Sequence, residues 1–266
     1  MLSNVDIVKE IKKKNIAISP LTKDTIKGAS VNLTASDIAW SLQTRKKIEA
    51  HDNKITIPPH DTALILTREL VACTEKIGGT YHSRVGDVSS GKGHIGTTLN
   101  PGWIGYSLIA VTNHTDEKRF VEVGKPFVTL VFEYVNSPST IIEDNKSNRS
   151  DIVLKLGLES NESYNNLDDK NLNLKRYMDN YLSDTSGDEY KSFVWYYNEI
   201  VKKHRVRKFF AQNYLMMIVI CCLWGLFFVL KSFASIQENY MNMIFGSILT
   251  ITTTFFIPFF HRRNNG

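Results

Sequence analysis

Two long uncharged apolar segments near the C-terminus constrain this chain more than any other feature of its sequence. Residues 214–230 and 241–260 contain no charged side chain, and each is about long enough to cross a hydrocarbon core of roughly 30 Å as a helix. Lysines and arginines precede the first segment and follow the second. The positive-inside bias therefore predicts two transmembrane helices, over 209–231 and 241–260, in the inner (cytoplasmic) membrane. Both the N-terminal domain and the C-terminus are expected in the cytoplasm, with the lipid bilayer as a partner.

Small residues recur at helical spacing within both apolar segments. Gly246, Thr250 and Thr254 lie four residues apart, and Cys221 and Gly225 have the same spacing. Small residues at this spacing let helices approach closely. Two interpretations remain open: the small faces pack the two helices against each other, or the threonine face lines a polar path in an assembly of several copies.

The first 136 residues have the pattern of a compact β domain behind a short opening helix. Ser3 and Asp6 occupy the N-cap and N3 positions of a capping box that begins this helix. Strand-like stretches follow at 55–57, 62–67, 103–113, 120–123 and 126–135, separated by turn-forming residues that include Gly78-Gly79. Short strands without helical crossovers predict an antiparallel barrel or sandwich.

Two differently composed regions connect this domain to the apolar segments. Residues 137–166 are rich in Ser, Asn, Asp and Glu, which predicts a flexible linker. Residues 167–208 carry apolar side chains at helical spacing, which predicts an amphipathic helical connector. The apolar positions of the connector are Leu174, Tyr177, Met178, Tyr181 and Leu182, followed by Tyr190, Phe193, Val194, Tyr197 and Val201. We expect the stripe of the second helix, from Tyr190 to Val201, to contact sister helices or the lipid headgroup zone.

Composition argues against several classes of function. A formal net charge of +5 is too small to indicate a nucleic-acid partner. The cysteines Cys73, Cys221 and Cys222 form neither a disulfide framework nor a CxxC metal spacing. The opening residues lack the apolar core of a signal peptide. We therefore expect no metal site and no nucleic-acid partner, and we expect the chain to start in the cytoplasm.

Four stretches, taken together and in order, resemble the dCTP deaminase and dUTPase family. They are MLSNVDIVKEI at 1–11, IKGASVNL at 26–33, the central segment 78–113, and FVEVGKPFVTLVFEY at 120–134. The resemblance implies a distorted antiparallel β-barrel, a dUTPase-like jelly roll, over residues 1–136. It also implies a homotrimer with nucleotide sites at the subunit boundaries. The expected ligand is a deoxynucleoside triphosphate or a cyclic nucleotide, accompanied by Mg²⁺ if the protein is active.

The position of the family's catalytic glutamate is altered in this sequence. In the family's deaminases, the fifth residue after a PGWxG motif is a glutamate that activates the attacking water. Here PGWIG at 101–105 is followed at that position by Ala110. Proton transfer at neutral pH requires a group such as a buried carboxylate. The resemblance therefore predicts that the deaminase step is lost and that no catalytic residue remains.

The segment that would hold phosphates is altered as well. Where deaminase relatives carry RSSxxR, this chain reads His82-Ser83-Arg84-Val85-Gly86-Asp87. Ser83 keeps a hydroxyl, Arg84 can replace the arginine only if the backbone shifts, and Asp87 is expected to repel a triphosphate. The glycine-rich loop at 86–96, with Lys92, is either a phosphate cradle or a flexible hairpin. Including the hairpin implied by the resemblance, the predicted nucleotide-binding residues are Ser83, Arg84, Lys92, Thr97, Asn100 and Trp103.

These features predict a membrane-anchored, non-catalytic, deaminase-like nucleotide-binding protein. It would be a sensor or effector that couples nucleotide binding to the membrane in bacterial stress or antiphage defence. The alternative is an active dCTP deaminase or dUTP diphosphatase tethered to the membrane, with Glu133 or Asp87 as the replacement carboxylate. A third interpretation is a structural module that only trimerises the membrane helices.

Overall fold

The computed structural model describes residues 1–94, 96–140, 149–160, 162–165, 167, 173–232 and 238–264. The chain forms two compact units, Met1–Val201 and Lys202–Gly266.

The first unit consists of a curved antiparallel sheet followed by short helices. Its strands are β1 (Ile16–Ser19), β2 (Val31–Ser41), β3 (Lys54–Ile57), β4 (Thr62–Cys73), β5 (Ile77–Ser83), β6 (Lys92–Gly93), β7 (Thr98–Leu99), β8 (Ile104–Asn113), β9 (Arg119–Glu122) and β10 (Pro126–Tyr134). Its helices are α1 (Asn4–Lys12), α2 (Val85–Ser89), α3 (Ser150–Leu156), α4 (Glu162–Asn165), α5 (Leu174–Asn180) and α6 (Asp188–Tyr196), after which a π-helical segment runs over Tyr197–Lys202.

The strand pairing confirms the predicted antiparallel class. The main sheet has the order β6-β8-β4-β2-β10-β5-β7, with β1 also paired to β4, and β3 and β9 form a separate ribbon. Each of these ladders is antiparallel. The two short strands β6 and β7 end the path among the described residues, so the sheet is a half-barrel.

The opening helix forms as the sequence predicts. The Ser3 hydroxyl accepts from the Asp6 backbone N–H at 3.2 Å, and the Asp6 carboxylate accepts from the Ser3 N–H at 3.2 Å. This reciprocal pair satisfies two backbone donors that the first turn of a helix leaves without partners. Ile7, Val8 and Ile11 then face the core.

Several strand assignments differ from the predictions. Strand β4 continues past the predicted end at Thr67 to Cys73, and β1, β2, β5, β6 and β7 were not predicted as strands. The pair Gly78-Gly79 was predicted as a turn but lies inside β5. A Cβ atom on Gly79 would stand 2.5 Å from the Val131 carbonyl oxygen. These glycines therefore allow β5 and β10 to approach each other, and they do not reverse the chain.

Tyrosine hydroxyls of helices α5 and α6 form hydrogen bonds with backbone groups at the edge of the sheet. Tyr181 accepts from the Ile18 N–H at 3.3 Å and donates to the Ile18 carbonyl at 2.7 Å. Tyr196 accepts from the Ile26 N–H at 2.9 Å. Both rings belong to the same buried core as the strands. In the second predicted helix, Val201 is part of this core and Phe193 and Tyr197 pack against it, so the expectation that they meet sister helices or headgroups is wrong.

The Tyr181 anchor leads to a stability prediction. Tyr181→Phe should lower the free energy of unfolding by about 1–3 kcal/mol, because the N–H and carbonyl of Ile18 would lose their buried partner. The matched control is Tyr190→Phe, whose ring packs 6.4 Å from that of Phe193; it should change stability by less than about 0.5 kcal/mol. Equal losses in chemical denaturation would show that the hydroxyl of Tyr181 anchors nothing.

Part of the predicted linker packs on the outer face of the sheet. We call residues 149–160, 162–165 and 167 the cover segment. Its Val153 and Tyr164 are buried in a cluster with Trp40, and the Tyr164 ring meets the Trp40 ring edge-on at 5.2 Å. The indole N–H of Trp40 donates to the Glu159 carbonyl at 2.8 Å. The predicted linker over 137–166 thus contains a packed segment, while residues 141–148, 161 and 166 lie outside the described residues.

The second unit contains α7 (Lys203–Gln212), α8 (Tyr214–Ser232) and α9 (Glu238–Asn264). By length and composition, α8 is the one helix in the described chain apolar enough to cross a membrane, with a mean hydropathy of 2.3. It begins at Tyr214 instead of the predicted residue 209, because α7 ends at Gln212 and Asn213 is not helical. Within α9, Asn242–Phe255 forms a shorter apolar stretch. The second membrane helix, over 241–260, remains a prediction.

Contacts between α8 and α9 are made by aromatic side chains and one threonine. The Trp224 ring meets the Phe245 ring edge-on, with their centroids 5.8 Å apart. The indole N–H of Trp224 donates to the Thr252 hydroxyl at 3.1 Å. The predicted small-residue faces lie elsewhere: Thr250, Thr254 and Gly225 are exposed. The prediction that these faces pack the two helices together is therefore wrong, since Trp224 and Phe245 occupy the contact.

Candidate functional site

A cavity of about 170 Å³ lies beside the hairpin that leads into β8. The chain reverses at Asn100-Pro101-Gly102, where Gly102 has a φ of +80° that favours glycine. The cavity is lined by Tyr81, Thr97, Thr98, Leu99, Asn100, Trp103, Ser107, Leu108, Ile109, Arg149 and Ile152. The hairpin therefore brings together three of the predicted binding residues, Thr97, Asn100 and Trp103. We call this space the hairpin cavity.

The walls of the hairpin cavity combine apolar surface with a few polar groups. The hydroxyls of Tyr81 and Ser107 are hydrogen-bonded at 2.6 Å, and burial raises the pKa of Tyr81. The guanidinium carbon of Arg149 lies 5.4 Å from the centre of the Trp103 ring, a cation–π arrangement. Apolar walls with a few hydroxyls and one cation suit a ring-bearing ligand that also carries oxygen acceptors.

The other three predicted binding residues are engaged elsewhere. The Ser83 hydroxyl contacts Nδ1 of His94 at 2.6 Å and accepts from its backbone N–H at 3.0 Å. Arg84 donates to the carbonyl of Pro126. Lys92 donates to the Phe120 carbonyl at 2.7 Å and forms an ion pair with Asp87 at 2.9 Å. The structure therefore does not bring Ser83, Arg84 and Lys92 into the hairpin cavity.

The glycine-rich loop at 86–96 contains regular structure. Its described residues include the end of α2 and the strand β6, in place of a flexible hairpin, and a role in phosphate binding stays a prediction. The Lys92–Asp87 pair is largely shielded, with side chains 12% and 22% exposed. Because Lys92 offsets the charge of Asp87, the expected repulsion of a triphosphate by Asp87 is weakened.

Ala110 lies on the outer face of β8, beneath the cover segment. Ser107, Ile109 and Val111 point to the buried inner face, whereas Leu108 and Ala110 point outward. Ala110 and Leu108 pack against the Trp40 cluster, to which the cover segment contributes Val153 and Tyr164. The position of the family's glutamate is thus surrounded by apolar side chains.

Neither predicted replacement carboxylate reaches this cluster. Glu133 is exposed near the end of β10 and lies 3.8 Å from the N-terminal ammonium group. Asp87 is paired with Lys92. The sequence-based alternative that relied on Glu133 or Asp87 therefore lacks geometric support.

A second cavity, of about 460 Å³, contains a buried carboxylate that the sequence did not suggest as functional. Glu69 is only 4% exposed, and its oxygens accept from the N–H and the hydroxyl of Thr34, both at 2.7 Å. Burial raises the pKa of Glu69, although these hydrogen bonds act in the opposite direction. Arg68, Arg84 and Lys125 also line this space. We call it the charged cavity, and its cations suit an anionic ligand.

The first half of the chain is similar to known proteins. A model of the dCTP deaminase-like domain matches residues 1–135. The chain belongs to the dCTP deaminase-like family. It is 27% identical to the dCTP deaminase of Pyrococcus horikoshii over 126 residues, which is 47% of this chain and 80% of that protein. It is 28% identical to the dCTP deaminase of Thermococcus gammatolerans over 127 residues, 48% of this chain and 80% of the relative.

Solved structures of two kinds resemble this deaminase-like chain. The 2′-deoxycytidine 5′-triphosphate deaminase from Agrobacterium tumefaciens aligns with a TM-score of 0.42 and 10% identity, over 49% of this chain and 45% of that one. The dUTPase of Staphylococcus bacteriophage 80alpha aligns with a TM-score of 0.35 and 14% identity, over 49% of this chain and 96% of that one.

Within the residues that the structure describes, no group of three His, Cys, Asp or Glu side chains is placed to hold a metal ion. Cys73 is buried, and burial raises the pKa of its thiol to about 12. A thiol in that state is a poor nucleophile and a poor metal ligand.

Proposed function

We propose that this chain is a membrane-anchored, non-catalytic member of the dCTP deaminase-like family whose first unit binds a nucleotide. The observation that carries the proposal is the environment of Ala110. A methyl group stands where the family's deaminases have their glutamate, and Val153 and Tyr164 of the cover segment pack over that face. Apolar packing neither accepts a proton from water nor leaves room for a nucleobase at this point.

Nucleotide recognition is supported by the hairpin cavity. Thr97, Asn100 and Trp103 line it together, and its volume of about 170 Å³ exceeds that of an engineered cavity of about 150 Å³ that binds benzene. A single six-membered ring therefore fits inside. Recognition through the shape and backbone groups of a hairpin does not depend on the catalytic carboxylate. Binding can persist where catalysis has been lost.

Membrane attachment is supported by the second unit. Helix α8 has the length and composition of a membrane span, and the basic residues of α7 precede it. We propose that α8 and the apolar part of α9 form a hairpin in the inner membrane, with the first unit and the C-terminus in the cytoplasm. We further propose a homotrimer in which nucleotide binding acts on the membrane helices, in bacterial stress or antiphage defence.

The proposal is tested with detergent-solubilised full-length protein. The protein is incubated with dCTP, dUTP and a panel of cyclic nucleotides in the presence of Mg²⁺, and bound and converted species are separated by chromatography. We expect one class of nucleotide to be retained unchanged, at a ratio near one per chain. Conversion of dCTP or dUTP in proportion to protein would overturn the non-catalytic assignment. Absence of binding at millimolar concentration would overturn nucleotide recognition.

The charged cavity favours a second candidate function, a membrane-tethered deaminase or diphosphatase that uses a different base. A buried carboxyl with a raised pKa, next to cations, has the properties that a general base requires. Glu69 has these properties. If the protein converts nucleotides, Glu69→Gln should reduce the rate by roughly 10²- to 10⁴-fold. Glu133→Gln, which removes an exposed carboxylate, should leave the rate unchanged, and equal rates in the two variants would exclude Glu69 as the base.

A further inference from the structure

Arg149 enters the hairpin cavity from outside the part of the chain that matches the family. It directly precedes α3, whereas the family match ends at residue 135. Its backbone is left-handed, with a φ of +62°, a conformation that is unfavourable for residues other than glycine. The structure thus holds this residue in a strained conformation that places its side chain on the Trp103 ring.

The hydrogen-bonding groups of Arg149 are only partly used. One terminal nitrogen donates to Asp151 at 3.2 Å, but the buried Nε atom has no hydrogen-bond partner. The side chain as a whole is 24% exposed, so part of it reaches solvent while it also lines the cavity. A buried donor without an acceptor is unfavourable, and a guanidinium group is suited to phosphate oxygens.

We infer that Arg149 is a ligand-binding residue whose guanidinium group donates to a phosphate oxygen of the nucleotide in the hairpin cavity. The inference rests on the proposed function, because it requires that the first unit binds a nucleotide. The ring of the ligand occupies the interior beside Leu99 and Ile109, and the phosphate lies at the mouth, where Arg149 reaches solvent. Arg149 then provides the positive charge that Arg84 and Lys92 do not supply to this cavity.

The position of Arg149 also gives the ligand a way to act on the cover segment. Ile152, one turn further along α3, lines the same cavity, and Val153 packs in the Trp40 cluster on the outer face. A ligand that binds Arg149 therefore holds the start of α3 in place. Occupancy of the hairpin cavity stabilises the cover segment against the sheet.

The test compares nucleotides with their uncharged nucleosides on the full-length protein in detergent. Calorimetric affinities are measured for dCTP, dUTP and cyclic UMP, each beside deoxycytidine, deoxyuridine or uridine. Arg149→Met should weaken nucleotide binding by roughly 10- to 100-fold and change nucleoside binding by less than about twofold. Arg149→Lys keeps the charge and should give an intermediate loss. The control is Arg176→Met, at an exposed position on α5, which should bind as the wild type does.

Hydrogen exchange adds a readout that does not depend on affinity. Nucleotide should protect the amides of residues 149–160 in the wild type and not in Arg149→Met, while protection of the strands shows that the variant is folded. Wild-type binding that Arg149→Met leaves within about twofold would overturn this inference alone. Failure of the wild type to bind any nucleotide at millimolar concentration would overturn both this inference and the proposed function.

Discussion

Replacing Trp40 with alanine is expected to lower the free energy of unfolding of the first unit by about 3–5 kcal/mol, the range for removing a large buried aromatic side chain. Trp40 is fully buried, at 0% exposed. The centroid of its ring lies 5.2 Å from that of the Tyr164 ring, and its N–H donates to the Glu159 carbonyl. The variant therefore loses packing and leaves that carbonyl without its donor. The measurement is chemical denaturation, combined with limited proteolysis of the cover segment.

Two further variants separate the effect of the Trp40 hydrogen bond from that of its ring packing, and from the effect of removing a different tryptophan. Trp40→Phe keeps most of the ring but loses the hydrogen bond to Glu159, and it should cost about 1–2 kcal/mol. Trp195→Ala removes a partly exposed tryptophan of α6 and should cost far less than Trp40→Ala. If both tryptophan-to-alanine variants lost the same stability, or if proteases cut the cover segment no faster in Trp40→Ala, the cover segment would not depend on Trp40.

Restoring the family's carboxylate with Ala110→Glu should produce no deaminase activity and should destabilise the first unit by about 1–3 kcal/mol. The new side chain would extend into the apolar cluster beneath Val153 and Tyr164, where a charged group loses hydration without gaining a partner. Unfolding experiments and a dCTP turnover assay measure the two outcomes. We expect the variant to expose the cover segment to protease.

The control for charge is Ala110→Gln, which has nearly the same size as the glutamate variant. A smaller loss of stability in Ala110→Gln would assign the difference to the buried charge, whereas equal losses would assign it to crowding. Turnover of dCTP by Ala110→Glu would contradict the apolar filling of this face. It would show that the single alanine was all that separated the chain from an active deaminase.

The sequence predicts those parts of the fold that its local patterns encode. The stretch at 103–113 correctly predicts the strand β8, which the structure places at Ile104–Asn113. The capping box at Ser3 correctly places the start of α1. Gly78-Gly79 misled the prediction, because glycine is typical of turns and also permits close strand approach. Only the position of the Val131 carbonyl, distant in sequence, distinguishes the two uses.

The residues of the candidate site also differ in this respect: some are neighbours in sequence, and others come together only through the packing of distant segments. Thr97, Asn100 and Trp103 lie within one hairpin, so their proximity follows from a short stretch of sequence. Arg149 joins them only through the packing of the cover segment, and no local pattern indicates this contact. Glu69 was missed because the predicted strand stopped at Thr67. The apolar run at 70–73 was the available signal that the strand continues.

The hydrogen bonds of Tyr181 and Tyr196 determine which part of this protein can be transferred to another protein as a folded unit. A chimera that grafted only residues 1–135 onto a foreign anchor would leave the backbone groups of Ile18 and Ile26 without the hydroxyls of Tyr181 and Tyr196. It would also lose the Glu189 carboxylate, which accepts from Ser19 at 2.6 Å. The unit that can be transferred therefore runs from Met1 to Val201, about 65 residues longer than the stretch that matches the family model. In this chain, the segment that matches the family and the segment that forms a compact unit end at different residues.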